Sequence, residues 1–81
     1  MDKQAILAAV QDIVRQSLGR NDIELTPETS ARDVRGWDSL ANIGIVMAVE
    51  ARFNIRFGLG ELDAMKNVGD IVAGVAGRRQ G

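Results

Sequence analysis

The chain reads as an all-α protein, a small four-helix bundle of three longer helices and one short one, with a long loop between the first two. Three observations support this. Apolar residues recur at helical spacing in three separate segments. No segment sustains the alternation of a half-buried strand. The single proline, Pro27, falls in a stretch without period between the first two helical segments.

The first helix is predicted from "DKQAILAAVQDIVRQSLG". Ile6, Val10, Ile13, Val14 and Leu18, with Ala9 beside them, make one stripe. Asp2 suits the N-cap, and Gly19 suits a left-handed C-terminal stop. The next segment, "RNDIELTPETSARDVRGW", is a long loop, and loops of this length are uncommon unless functional or disordered. Ile23, Leu25, Val34 and Trp37 are the residues that could pin it to a core. Helix two is predicted from Asp38 to Phe53. At about 100° per residue, Ile45, Val46, Val49 and Phe53 share one arc. Leu40, Ile43 and Met47 form a second arc, with Glu50 beside it and Arg52 well away. A short helix fits around Leu59 to Ala64. The last helix, "NVGDIVAGVAGRR", places Val68, Ile71, Val72 and Val75 on one face. Asn67 and Asp70 have capping-box spacing, and Arg78 and Arg79 suit a helix C-terminus. Gly69 and Gly74 each weaken it by up to about 1 kcal/mol relative to alanine.

Length and composition narrow the function. At 81 residues the chain is expected to be one domain spanning residues 1–81. A domain of this size buries only about 60–65% of its unfolded surface, so its stability margin is thin. With no cysteine and no histidine, there is no thiolate nucleophile, no Ser-His or Cys-His pair, and none of the commonest metal ligands. The commonest tools of an enzyme and most transition-metal sites are thus missing. The formal net charge of −1 and absence of tyrosine argue against nucleic-acid binding. No apolar run approaches the roughly 20 residues of a membrane span. No signal pattern opens the chain. A cytoplasmic protein that does not insert into membranes is the expectation.

Attention then falls on "GWDSL", residues 36–40. Asp38 is a good N-cap, and Ser39 follows at the first helical position. By themselves these two residues indicate a well-started helix. As a nucleophile Ser39 would need a base. Only Lys3 and Lys66 could be considered besides the missing histidine, which disfavours a hydrolase. As a modification site it needs no internal base, because the modifying enzyme supplies the chemistry. A helix N-terminus also favours a phosphate. The second apolar arc has two readings: a helix packed on both sides, or an exposed docking strip in which Leu and Met adapt to several partners.

"GWDSLANIGIVMAVEARFNI" resembles the attachment region of acyl carrier proteins. The hallmark is the Asp38-Ser39-Leu40 triplet at the start of the second helix. The resemblance extends through "SLG" at the end of helix one, the pattern of Val46, Met47, Glu50 and Phe53, and "NV" at the last helix. It implies a 4′-phosphopantetheine arm on Ser39, flanked by Asp38 and Leu40 and installed by a separate phosphopantetheinyl transferase. The arm's thiol holds acyl groups as thioesters. The protein then presents them to acyl-loading, condensing or acyl-transfer enzymes of fatty-acid, lipid or polyketide-type biosynthesis. The carrier is expected to be a monomer and not itself an enzyme. Trp37, Leu40, Ile43, Met47 and Glu50 become the expected partner-binding residues, and the resemblance favours docking for the strip. An aminoacyl, peptidyl or D-alanyl carrier would use the same prosthetic group. Peptidyl carriers usually lead into the serine with Gly-Gly and often His, where this chain has "RGWD".

The chain departs from the family in its charge. Ala41, Gly44 and Ala51 stand where acids are usual, Asn42 adds no charge, and Arg52 and Arg56 add positive charge nearby. Long-range steering toward basic partners should therefore be weak. A specialised carrier recognised more by shape and apolar contact is the expectation. Gly44 could allow close approach of the arm, a partner or a neighbouring helix. Trp37 could pack the loop, or touch the arm or the modifying enzyme.

Overall fold

Four α-helices form, in order, α1 (Lys3–Leu18), α2 (Ser39–Phe53), α3 (Leu59–Ala64) and α4 (Val68–Arg79), with a 3-10 turn at Ala31–Asp33 inside the long loop. This computed structural model describes residues 2–79. Among them there is no strand, and α1 packs against both α2 and α4.

The helix ends follow the local chemistry. Asp2 accepts from the Ala5 N–H at 2.8 Å. Gly19 terminates α1 with φ +67°, a conformation that costs a glycine nothing sterically. At the other end of the bundle, Asn54 closes α2 with φ +56°. Asn67 and Asp70 form the reciprocal box at the start of α4. Asn67 accepts from the Asp70 N–H at 2.9 Å, and Asp70 accepts from the Lys66 and Asn67 N–H groups.

The core is one apolar cluster. The expected stripes fill it: Ile6, Val10, Ile13 and Val14 from α1, then Ile45, Val46, Val49 and Phe53 from α2, then Val68, Ile71, Val72 and Val75 from α4. Leu18, expected in the α1 stripe, is only half-buried. Phe57 joins from the linker before α3, while Met65 is half-buried. Ile23, Leu25 and Trp37 pin the long loop, and Val34 only borders the cluster.

Two glycines that weaken α4 by propensity prove to be contact points. A Cβ at Gly69 would lie 2.8 Å from the Pro27 carbonyl oxygen. The Gly69 N–H donates to that carbonyl, and the Val68 N–H donates to Thr29. A Cβ at Gly74 would lie 3.0 Å from the Phe57 ring and 3.1 Å from the Met65 methyl. Close packing thus replaces what propensity loses. The short α3 is held differently. Its Glu61 accepts from the Gly58 N–H at 2.8 Å and pairs with the Arg78 guanidinium. Arg78 also donates to the Gly74 carbonyl and lies 5.0 Å over the Phe57 ring. The side chain of Arg79 lies outside the described residues.

Candidate functional site: the start of α2 and its exposed strip

Asp38 is extended, with φ −100° and ψ −172°, and its carboxylate accepts from the Ala41 N–H at 2.8 Å. That fixes where α2 begins and places Ser39 in its first turn, exposed. Among the described residues nothing hydrogen-bonds the Ser39 hydroxyl. The Ser39 and Leu40 N–H groups precede the first intrahelical bond and also lack a described acceptor, whereas the Asn42 N–H already donates to Asp38. The chain therefore offers an exposed hydroxyl beside two free amide donors, an arrangement that suits an attached phosphate group. Ser39 shares a shallow concavity with Arg32, Trp37 and Asn42.

Gly36 has φ +95°, a turn that turns the chain inward just before the helix. Trp37 follows it into the core, with only 6% of its surface exposed. The indole N–H donates to Asn42 Oδ1 at 2.9 Å. Trp37 thus packs the loop, one of its expected roles, and leaves little of its ring at the surface for a partner. Its ring is too large and apolar to leave the cluster, and Asn42 satisfies its only polar atom. The Asn42 role was not foreseen; a ring N–H reaching five residues ahead has no periodic signature.

The second arc of α2 is open. Leu40, Ile43 and Met47 are 79%, 59% and 62% exposed, so neither the loop nor α3 covers them. Glu50 is placed beside them but is half-buried, and its carboxylate accepts from the Phe57 N–H at 2.8 Å. Its expected partner role is thus joined by a structural one: it ties the end of α2 to the linker. Gly44 faces open space, with nothing within 4 Å of a Cβ built there. That removes close approach of a neighbouring helix as its reason.

Two grooves extend the strip. One holds Leu40 with Leu18, Arg20, Arg35 and Asp38. The other holds Met47 with Ala51, Ile55 and Arg56. Among the described residues no cluster of His, Cys, Asp and Glu could hold a metal ion, and no helix is long and apolar enough to cross a membrane.

The helical bundle with an exposed serine starting its second helix fits the carrier module that the resemblance implies, and comparison with known proteins shows the family. The phosphopantetheine attachment site family matches residues 8–75. A holo acyl carrier protein from Geobacter metallireducens superimposes with a TM-score of 0.83 at 42% identity, covering 89% of this chain and 83% of that one. Acyl carrier proteins from an Exiguobacterium species and from Thermotoga maritima are 38% and 31% identical. They cover 90% and 88% of this chain, and the chain covers 92% and 88% of them. The chain belongs to the acyl carrier protein family, and its prosthetic group is 4′-phosphopantetheine.

Proposed function

We propose that Ser39 is the attachment residue, and that residues 1–81 work as a single carrier domain, monomeric and cytoplasmic, that catalyses no reaction itself. The observation that carries the assignment is the free, exposed Ser39 hydroxyl in the first turn of a helix whose start Asp38 fixes. Once attached, the arm supplies a thiol on which acyl groups are held as thioesters. The chain's own contribution is positional. Asp38 holds the first turn in register, the Ser39 and Leu40 amides would hold the phosphate of the arm, and Leu40, Ile43 and Met47 give partner enzymes an apolar grip.

Those partners are a phosphopantetheinyl transferase and then acyl-loading, condensing or acyl-transfer enzymes. The relatives reported above are named acyl carrier proteins, which supports acyl over aminoacyl cargo. The uncharged Ala41, Gly44 and Ala51 along α2 support a specialised role over the housekeeping one.

The test is loading. Incubation with coenzyme A and a broad-specificity transferase should raise the intact mass by one arm, and Ser39→Ala should abolish the gain. A chain that stays unmodified while a control carrier loads would refute the assignment.

A further inference from the structure

Residues 31–57 hold four of the ten basic side chains and only three of the eleven acidic ones. The segment that starts and forms α2 is therefore net positive, while the rest of the chain is net negative. The structure treats the two signs differently, the acids keeping their charge but held in place by the backbone. Each acid in the segment is fastened to the backbone. Asp33 accepts from the Ser30 N–H and hydroxyl, Asp38 from the Ala41 N–H, and Glu50 from the Phe57 N–H. The arginines are the reverse case. Arg32, Arg35, Arg52 and Arg56 are exposed, and none makes a side-chain hydrogen bond or ion pair with a described residue. Arg35 lines the groove beside Leu40 together with Arg20 and Asp38, and Arg56 lines the groove beside Met47 together with Glu50. Arg52 projects about 120° away from Leu40 around the helix.

We infer that the strip of Leu40, Ile43 and Met47 docks on a protein partner whose apolar socket is flanked by carboxylates, with Arg35 and Arg56 as the two charged clamps. This rests on the carrier reading above and adds the sign of the partner's rim. Arginine suits the task because its planar fork binds a carboxylate through two parallel hydrogen bonds. Charged side chains near the two ends of an apolar strip also match the layout of interfaces, an apolar core with a polar rim. Rim charges govern the rate of encounter and exclude wrong partners. A partner that presents lysines and arginines around its socket would meet Arg35 and Arg56 head on.

The experiment uses holo protein whose loading is verified by intact mass, so failure of the carrier reading shows at that step, before any docking is measured. The probe is one condensing enzyme with a basic docking rim, prepared also in a form with those rim residues changed to glutamate. Activity of both forms on a free thioester substrate confirms that each is folded. Holo protein should bind the glutamate-rimmed form about tenfold or more tightly at low salt. The preference should shrink as salt shortens the screening length from about 30 Å at 0.01 M to about 8 Å at 0.15 M. The pair Arg35→Glu and Arg56→Glu should abolish it, while Arg52→Glu should leave most of it. Equal or tighter binding to the basic-rimmed form, or binding to neither, would overturn the proposal. So would an Arg52→Glu effect as large as that of Arg35→Glu, which would make the preference a matter of diffuse charge. Stronger retention on phosphatidylglycerol vesicles than on either enzyme form would assign the arginines to a lipid surface and overturn it as well.

Discussion

Asn42 and Trp37 show how one polar atom decides the fate of a large side chain. The indole is buried because Asn42 accepts its N–H. Asn42→Leu should therefore destabilise the protein by about 1–3 kcal/mol, the cost of leaving a buried donor unpaired, as read in urea unfolding. An unchanged midpoint would show that water reaches the indole. The glycines of α2 and α4 should respond in opposite directions. Gly44→Ala meets open space and should stabilise by about 0.5–1 kcal/mol through helix propensity alone. Gly69→Ala drives a Cβ toward a backbone carbonyl and should cost about 1–3 kcal/mol, as other overpacking changes do. Thermal melts of the two variants decide the matter. The sequence marks all these glycines alike as helix weakeners; only the neighbours supplied by the fold separate them.

At the scale of elements, α3 is the instructive case. The linker left room for one short helix there, which made it legible, but its anchorage was not, because the partner Arg78 lies far along the chain. The Arg78 guanidinium, together with the Gly58 N–H, holds the Glu61 carboxyl below its ordinary pKa. A carboxylate with a depressed folded-state pKa stabilises the fold fully above its unfolded value, and that contribution is lost as pH falls through the folded value. The anchorage of α3 should thus be intact at neutral pH and fade on acidification below the ordinary glutamate range. Carboxyl NMR should show the Glu61 midpoint rising toward the ordinary value in Arg78→Met. A midpoint that stays put would assign the shift to the helix end instead. The stripes of α1, α2 and α4 were legible for a simpler reason. Each is read within one helix, where spacing alone decides which residues share a face.

For the molecule as a whole, one apolar cluster joins α1, α2 and α4, and a chain of this size has a stability of roughly 4–12 kcal/mol. Ile45 is fully buried within it. Ile45→Ala should cost about 2–5 kcal/mol, a large share of the total, and should appear as a strong fall in melting temperature. The proposed attachment site was legible through the resemblance, which Asp38, Ser39 and Leu40 carry together with the helix they start. The exposure of the second arc of α2 was half legible. Spacing separates that arc from the core arc, but whether a loop covers it depends on where Ile23, Leu25 and Trp37 drag that loop.

The backbone bonds from Val68 and Gly69 to Thr29 and Pro27 have a consequence for how the chain tolerates change in length. They act as a buckle, dividing the connection between α1 and α2 into two spans, 20–26 and 30–37, each closed by its own ends. Closure entropy grows with the length of the span that is actually closed, so an insertion on one side leaves the other side's geometry alone. Extra residues between Asn21 and Asp22 would lengthen a surface excursion and leave Ser39 where it is. The same residues between Pro27 and Thr29 would unfasten the first turn of α4.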